Sequence, residues 1–387
     1  MFPSFTFTAP STLVYGWGAI AQLPQIAATH GRRPLVVAGG SLRRSSRLAS
    51  LLDALRSAGL DPRVLDTVPP EPTVADLQRA MDAAAALDFD SVIAIGGGSV
   101  LDIGKAVAVL AGAPEAQQAL AAEYFAGRPL PATGRPILAC PTTAGTSSEH
   151  TRNCVLTDPA TRRKASIRGD AMLPTAAIVD PDLTVTCPPS VTAHSGIDAL
   201  VQAIEAYVSR GANPLTDALA LAAARLAWRW LPVAFEHGDD RPAREGMALA
   251  STVAGLAFNT ARLGLVHGLA HPLGAVTKAP HGLLCGMLLP PVVEFNLPAA
   301  GAKYAHLARA LEAAAPGDPD MAAAAQLQDA LRGLLRRLGI SQRLREIGLR
   351  TEDVDHVAAE ALPSGSTRAN PRPVSLAEAR ALVAGAW

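Results

Sequence analysis

The first half of the chain alternates short apolar runs with longer helical patterns, and this alternation limits the folds that it can adopt. A periodicity of 3.6 residues predicts helices at about 46–58 and 74–87. Runs of apolar residues predict buried strands at 35–38, 64–65, 91–95, 136–140 and 176–180. Strands that alternate with helices in this way predict βαβ units and a parallel, Rossmann-like sheet.

The second half of the chain has a different sequence pattern. After about residue 190 the strand-like runs stop, and Ala- and Leu-rich helical patterns continue to the C-terminus. The segment Cys187-Pro188-Pro189-Ser190 is the natural boundary. The sequence therefore predicts an α/β dinucleotide-binding domain over residues 1–189 and an all-helical domain over residues 190–387.

Composition narrows the class of protein. With 387 residues, 49% of them hydrophobic and 18% charged, the chain can bury a large core. Its net charge of zero gives no sign of the basic surface that nucleic-acid binding requires. The four scattered cysteines favour free thiols in a reducing compartment. No signal peptide is recognisable and no apolar run resembles a membrane span, so we expect a cytoplasmic protein without membrane or nucleic-acid partners.

Two loops that follow predicted strands are suited to phosphate binding. Gly96-Gly97-Gly98-Ser99 joins a strand to a helix that carries Asp102, and glycines there let a pyrophosphate approach the backbone. The second loop, 141–149, is rich in hydroxyls, and its candidate cofactor contacts are Thr142, Thr143, Thr146 and Ser148. The alternatives are a simple glycine turn for the first loop and a helix cap for the second. Together the loops favour a dinucleotide crevice.

The end of the first buried strand bears on the choice of cofactor. Gly39-Gly40-Ser41 is followed by Arg43 and Arg44, and no acidic residue is present to bind the ribose diol. We therefore predict that NADP(H) is favoured over NAD(H), with Gly39, Gly40, Ser41 and Arg43 near the cofactor. The alternative is that the arginines are solvated surface charges.

Histidines gather in one stretch of the helical half. His267 and His271 are spaced to share a helix face, Pro272 is expected to disturb that helix, and His281 follows in a predicted turn. Upstream, Asp198 and Gln202 share a face of an apolar helix. A divalent metal would explain this arrangement. The alternative is satisfied helix histidines and an Asp partnered by a helix N-terminus.

Several motifs, in order along nearly the whole length, carry a family resemblance. They include PTTAGTSSE at 141–149, GIDALVQAIEAYVSRGA at 196–212, GLVHGLAHPLGA at 264–275 and APHG at 279–282. On these motifs the chain resembles the iron-containing (group III) alcohol dehydrogenases, particularly the lactaldehyde:propanediol oxidoreductases. The resemblance implies a dehydroquinate-synthase-like fold, with metal and substrate in the cleft between the two domains, and a homodimer or larger homo-oligomer.

The resemblance also implies roles for individual residues. The family's metal ligands, one Asp and three His, fall on Asp198, Gln202, His267 and His281, so Gln202 stands where the pattern has His. Because an amide oxygen is a weaker donor than imidazole, Fe²⁺, Zn²⁺ and a weakly held or absent metal all remain open.

Three further residues receive roles from the resemblance. His271 is implied as a proton relay near the nicotinamide and Lys164 as a cofactor contact. Asp102 is implied to orient the phosphate loop or the nicotinamide amide.

The expected reaction is reversible, NAD(P)-dependent hydride transfer between nicotinamide and a small alcohol, diol or aldehyde, assisted by a metal acting as a Lewis acid. The alternatives are a metal-free maleylacetate-reductase-like enzyme, a reductase of a small anionic aldehyde such as a phosphonoacetaldehyde, a polyol-phosphate dehydrogenase, a dehydroquinate-synthase-like lyase and a non-catalytic nucleotide-binding paralogue.

Overall fold

A computed structural model describes residues 4–112 and 119–386, without the side chains of Ser41 and Thr67. The chain divides into two compact units. One is Ala9–Val185, and the other is Thr186–Trp387 together with the N-terminal residues as far as Thr8. The division falls near the Cys187–Ser190 segment, and residues 4–8 group with the later unit.

The first unit contains a parallel sheet and a hairpin. Its described strands are β1 Thr12–Tyr15, β2 Pro34–Gly39, β3 Arg63–Val68, β4 Ser91–Gly96, β5 Ile137–Pro141, β6 Asn153–Asp158, β7 Arg163–Arg168 and β8 Ala176–Val179. Six of them form the parallel sheet, in the order β1-β8-β5-β4-β2-β3. The separate antiparallel hairpin pairs β6 with β7.

Helices cover both faces of this sheet. In the described part of the unit they are α1 Leu23–Ala28, α2 Gly40–Arg43, α3 Ser46–Ser57, α4 Val74–Ala85, α5 Gly98–Leu110 and α6 Ala121–Phe125. Because successive residues of a strand point to opposite faces, Val36 and Val37 of β2 enter two different hydrophobic clusters. A strand buried on both sides reads as a continuous apolar run, which is why the sequence predicted a parallel sheet.

The described residues of the second unit form helices and connecting loops, without a strand. Its helices are α7 Pro189–Val208, α8 Pro214–Glu236, α9 Arg241–Ala261, α10 Leu265–Thr277, α11 His281–Ala310, α12 Asp320–Arg337, α13 Val354–Ala361, α14 Gly365–Ala369 and α15 Leu376–Gly385. Helix α7 packs against α8, α9 and α11, and α10 packs against α11 and α13. The core of this unit therefore surrounds α7 and the N-terminal part of α11. The fold class predicted from the sequence is confirmed.

One local prediction was wrong. His281 does not lie in a turn but is the first residue of α11, with Pro280 in extended conformation at the N-cap. Pro272, which was expected to disturb its helix, lies inside α10, and the helix continues to Thr277. The loss of one backbone donor at Pro272 is tolerated because α10 packs against α11 and α13.

Two helices of the second unit, α8 and α11, are long and apolar enough to cross a membrane by length and composition. Helices α9 and α10 would count as a third span if the bent pair were one segment. By length and composition alone, the prediction that no apolar run resembles a membrane span was therefore wrong. Most of the apolar window of α11 is buried inside the protein, and the absence of a membrane partner stays a prediction.

Candidate metal centre and cofactor loops

Helix α7 carries three polar side chains on a face that is buried in the core. Asp198, Gln202 and Glu205 recur at the spacing of one helix face, and they are only 2%, 3% and 4% exposed. A carboxylate is rarely buried unless a charge, a set of hydrogen-bond donors or a metal compensates it. This face of α7 therefore requires partners from other helices.

The partners come from the beginnings of α10 and α11. The rings of His267 and His281 lie 5.3 Å apart between centroids, and Cys285 follows His281 by one helical turn. One ligand atom from each of Asp198, His267, His281 and Cys285 lies within 4.8 Å of the others. The structure thus brings three of the four predicted metal ligands to one point.

The individual distances describe a small polyhedron of donor atoms. Asp198 Oδ1 lies 3.2 Å from Nε2 of His267 and 3.9 Å from Nε2 of His281. Cys285 Sγ lies 3.9 Å and 3.6 Å from the same two nitrogens. Carboxylate, imidazole and thiolate are the groups that bind Zn²⁺ and related cations, so the donor set fits a divalent metal.

Glu205 controls the orientation of the His267 ring. Its Oε2 accepts a hydrogen bond from Nδ1 of His267 at 2.6 Å, and its Oε1 accepts one from the backbone N–H of Val266 at 2.7 Å. With the hydrogen on Nδ1, the Nε2 atom is directed towards Asp198. A carboxylate behind a ligating imidazole is a common outer-shell arrangement in metal sites.

The charges of this cluster depend on one another. Burial alone would raise the pKa of Asp198, but the hydrogen bond from His267 and the nearby imidazoles lower it below its ordinary value. Burial opposes the charged form of His267, yet the neighbouring carboxylates of Glu205 and Asp198 raise its pKa well above the usual range.

Gln202 is close to the centre but turns its amide nitrogen towards it. Nε2 of Gln202 donates to Oδ2 of Asp198 at 3.0 Å. A carboxylate only accepts hydrogen bonds, so the NH₂ end of the amide faces it. In this arrangement Gln202 orients Asp198 rather than presenting its oxygen as a ligand.

Glu205 and Cys285 were not among the site residues predicted from the sequence. Glu205 follows Gln202 on the same buried face of α7, and Cys285 follows His281 by four residues. Each lies one helical turn beyond a residue that was predicted, so the spacing along the helix could have identified both. Cys285 was overlooked because His281 was predicted to lie in a loop rather than in a helix.

His271 lies on the more accessible side of the cluster. Its ring stacks on that of His281, with centroids 5.4 Å apart, and lies 6.5 Å from that of His267. The side chain of His281 is 21% exposed, whereas those of His267 and Asp198 are 4% and 3% exposed. His271 is therefore near the donors without being one of the four converging groups.

The two predicted phosphate loops lie against each other in the sheet unit. A Cβ added to Gly98 would meet Cγ2 of Thr146 at 2.7 Å, and a Cβ on Gly97 would meet Thr143 at 3.6 Å. The backbone N–H of Thr142 donates to the carbonyl of Gly96 at 2.9 Å. Helix α5 begins at Gly98, and no side chain caps its N-terminus. Backbone N–H groups at such a helix start suit a pyrophosphate, so the loops fit a dinucleotide.

Asp102 forms part of a buried hydrogen-bond network next to these loops. It accepts hydrogen bonds from Ser148 Oγ at 2.5 Å and from the backbone N–H of Val155 at 2.8 Å. The fully buried Lys105 lies 3.2 Å from Asp102 and donates to Ser148 Oγ at 2.6 Å. These contacts tie the start of α5 to the second loop, and they give Ser148 a structural partner.

Other predicted cofactor residues have partners within the same unit. Arg43 forms a loose ion pair with Asp66 at 3.7 Å, and Lys164 pairs with Glu71. Gly39 ends β2 and Gly40 begins α2. The backbone of Ser41 lies in α2, and its side chain is outside the part of the structure that is described. Ser99 Oγ accepts a hydrogen bond from the backbone of Glu71 at 3.1 Å.

Comparison with known proteins shows the family to which the chain belongs. Residues 10–181 match the model of iron-containing alcohol dehydrogenase, and residues 192–387 match that of the C-terminal part of the Fe-containing alcohol dehydrogenase family. The 1,3-propanediol dehydrogenase of Citrobacter freundii is 38% identical over 371 residues, which are 95% of this chain and 95% of that protein. The lactaldehyde reductase of Escherichia coli K12 is 36% identical over 377 residues, 97% of this chain and 98% of that protein.

A solved structure agrees with these relatives. The crystal structure of a 1,3-propanediol oxidoreductase matches with a TM-score of 0.92 and 36% identity, and it covers 100% of both chains. The resemblance read from the motifs is thus confirmed. The chain belongs to the iron-containing alcohol dehydrogenase family and is an alcohol/aldehyde oxidoreductase acting on CH–OH groups.

Proposed function

We propose that this enzyme interconverts short-chain alcohols or diols and the corresponding aldehydes, with NADP(H) as the preferred cofactor and a divalent cation at Asp198, His267 and His281. Membership of the family implies NAD(P) and a divalent metal. Two relatives are named for 1,3-propanediol and lactaldehyde, which supports a small hydroxylated substrate.

The convergence of the metal centre is the observation that carries this proposal. Asp198, His267 and His281 come from three different helices, yet their ligand atoms fall within 4.8 Å of one another in the core. Buried carboxylates and imidazoles at that separation need a positive charge between them, which a proton or a cation provides. When bound, the cation would supply Lewis-acid chemistry that polarises the oxygen of the substrate.

The residues of the helical unit hold and shield this centre. Glu205 keeps Nε2 of His267 directed inward, and Gln202 keeps Asp198 in place through its second oxygen. Asp198 and His267 are nearly fully buried, so the inner side of the site excludes water. The substrate would therefore approach from the side of His281, which is the more exposed ligand.

Reversible oxidation of an alcohol also releases or consumes a proton. His271 stacks on His281 at the accessible side of the site, and an imidazole can exchange a proton near neutral pH. We assign to its ring nitrogens the transfer of that proton between the substrate hydroxyl and solvent.

The proposed cofactor preference depends on the end of β2. No acidic residue lies between Gly39 and Arg44, and Arg43 is on the short helix α2 that directly follows the strand. Arg43 is only loosely paired with Asp66, so its guanidinium can turn to a 2′-phosphate at the cost of a weak surface contact.

The assembly and location of the enzyme are part of the same proposal. The resemblance supports a homodimer or larger homo-oligomer, and the four free cysteines support a cytoplasmic setting. Light scattering of the purified protein measures the oligomeric state.

The direct test combines metal analysis with turnover. Protein purified without chelator is expected to contain about one divalent cation per chain, to oxidise 1,3-propanediol with NADP⁺, and to lose and regain activity on chelation and metal addition. The Asp198→Asn variant should retain little metal. Full activity of the metal-free protein would leave the maleylacetate-reductase-like alternative, and cofactor binding without turnover of any alcohol or aldehyde would favour the non-catalytic one.

A further inference from the structure

We propose that Cys285 binds the cation as its fourth protein ligand, in the place of the histidine that is absent at position 202, and that the site selects Zn²⁺ over Fe²⁺. This inference rests on the proposed metal-dependent function. It concerns the identity of one ligand and the metal that follows from it.

The separations of the donor atoms match those expected around a single cation. With Zn–N and Zn–O distances of about 2.0 Å and a Zn–S distance of about 2.3 Å, tetrahedral donors lie about 3.3 to 3.6 Å apart. The observed edges are 3.2 and 3.9 Å from Asp198 Oδ1 to the two imidazoles, and 3.6 and 3.9 Å from Cys285 Sγ to the same nitrogens. These four edges need adjustments of a few tenths of an ångström, and the two remaining edges of the polyhedron are no longer than 4.8 Å.

The surroundings of Cys285 differ from those of the other buried cysteines. Cys140 and Cys154 belong to the two hydrophobic clusters of the sheet unit. Cys285 is equally buried, but its sulfur faces two imidazole nitrogens and shares the cluster with a carboxylate. A cysteine that served only as a small apolar group would not need these neighbours.

The hydrogen bond of Gln202 explains why a different residue is required. Its amide nitrogen is used to fix Oδ2 of Asp198, and its oxygen could bind the cation only if the amide turned over and lost that bond. Helix α11 instead presents the thiol from the turn after His281, on the same face. Gln202 is then a positioning residue for Asp198.

Binding through sulfur has a chemical consequence for the choice of metal. On binding, the S–H bond breaks, the proton leaves to solvent and the thiolate donates to the cation. A soft thiolate favours Zn²⁺ over Fe²⁺, and together with Asp198 it supplies two negative charges to a doubly charged ion.

X-ray absorption of the Zn²⁺-loaded protein gives a direct readout of the ligand. We expect one sulfur scatterer at about 2.3 Å from zinc. In the Cys285→Ser variant, which keeps nearly the same size, the sulfur shell should disappear. A first shell of nitrogen and oxygen alone in the parent protein would overturn the inference.

Competition titrations with a chelating dye give the second readout. Cys285→Ala should weaken Zn²⁺ binding by more than about 100-fold, beyond the loss expected from an outer-shell partner, and should weaken Fe²⁺ binding less. The matched control Cys154→Ala, another fully buried cysteine, should leave the affinity unchanged. Equal Zn²⁺ affinity of Cys285→Ala and the parent protein would contradict the proposal.

A double variant separates loss of a ligand from loss of packing. Adding Gln202→His to Cys285→Ala restores an imidazole donor. We expect this second substitution to recover at least about 10-fold of the lost Zn²⁺ affinity. If no affinity is recovered, Cys285 does not take the place of a histidine ligand at position 202. If the parent protein takes up no metal at all, the metal part of the proposed function fails with it. If it binds metal and turns over alcohol without a sulfur shell, only this inference fails.

Discussion

Glu205 Oε2 lies 2.6 Å from Nδ1 of His267, while the other oxygen of the same carboxylate holds the first turn of α10 through the N–H of Val266. One buried side chain on α7 therefore sets both the position of the helix and the orientation of the ring. A Cβ on Gly264, just before α10, would come within 2.8 Å of this carboxylate, so the approach of the two helices is close.

The Glu205→Gln variant tests this outer-shell role. The neutral amide makes a weaker hydrogen bond and no longer raises the basicity of the imidazole, so metal affinity should fall by about 10- to 100-fold with little change of fold. The affinity is measured by dye competition. Glu236→Gln, which alters an exposed pair with Arg337, is the control and should bind metal normally. Unchanged affinity in Glu205→Gln would show that the contact has no influence on the metal.

His271→Ala addresses the proton relay. Because positioned acid–base groups commonly contribute about 10²- to 10⁴-fold, kcat should drop by about 100-fold, while the Kd for cofactor changes less than about 3-fold. The pH profile of kcat should also lose the limb that the imidazole provides. His237→Ala, at the C-terminal end of α8, is the control. Turnover equal to that of the parent protein would remove His271 from the mechanism.

Cofactor preference is tested at the pair Arg43–Asp66. Asp66→Asn leaves Arg43 without its anionic partner, so we expect kcat/KM for NADP⁺ to rise and that for NAD⁺ to stay nearly constant. Arg43→Ala should lower kcat/KM for NADP⁺ by about 10-fold, since a charge-assisted contact to phosphate is lost. Both values are measured at low cofactor concentration. A parent enzyme that clearly prefers NAD⁺ would contradict the proposal.

The buried carboxyl of Glu149 predicts a pH dependence of stability. Burial raises its pKa to about 7 from an ordinary value of 4.5, so the folded state keeps a proton that the unfolded chain gives up between those values. Stability from this group is therefore present below about pH 4.5 and is lost as the pH rises to about 7. Burial lowers the pKa of the adjacent His150 to about 3, which acts in the opposite direction at acid pH.

Glu149→Gln isolates the first of these effects. Relative to the parent protein, the variant should gain free energy of unfolding between about pH 4.5 and pH 8, on the order of 3 kcal/mol at the upper limit. Denaturant titrations at both pH values measure the difference, and the exposed Glu294→Gln serves as the control. A difference that does not change with pH would mean that Glu149 is ionised without cost.

The sequence pattern was sufficient to predict the strands that are buried along their whole length. The strands β2, β4, β5 and β8 were predicted because each is buried on both faces and reads as an apolar run. The hairpin of β6 and β7 was missed because its residues alternate between buried and partly exposed positions and are interrupted by polar side chains. A pattern of that kind predicts a strand only when its partner is known.

The metal centre shows the same division between local and tertiary information. Asp198 and His267 were singled out because their residue types are unusual in apolar helices, and His281 because it follows closely in the same histidine-rich stretch. Cys285 was not, since a cysteine in a core helix is ordinary; of its two imidazole neighbours, His281 precedes it on α11, but His267 comes from α10. The pairing of Arg43 with Asp66 likewise depends on the register between β2 and β3, which the sequence does not state.

Gly282 fixes the distance between the two helices that carry Asp198 and His281. A Cβ at this position would lie 1.9 Å from the backbone oxygen of His194 on α7, and backbone cannot move aside as a side chain can. The Gly282→Ala variant must therefore displace the start of α11 from α7, so we expect metal affinity to fall by at least about 10-fold, since donor distances must hold to within about 0.2 Å.

The same helix provides a matched control for this substitution. A Cβ on Gly301 meets nothing within 4 Å, so Gly301→Ala should bind metal normally and gain about 0.4 to 1 kcal/mol of stability from the lower entropy of the unfolded chain. Zn²⁺ titration and thermal unfolding of the two variants measure both effects. If Gly282→Ala retained the affinity of Gly301→Ala, the close approach of α11 to α7 would not determine the geometry of the centre, and Asp198 would have to follow His281 by some other adjustment of α7.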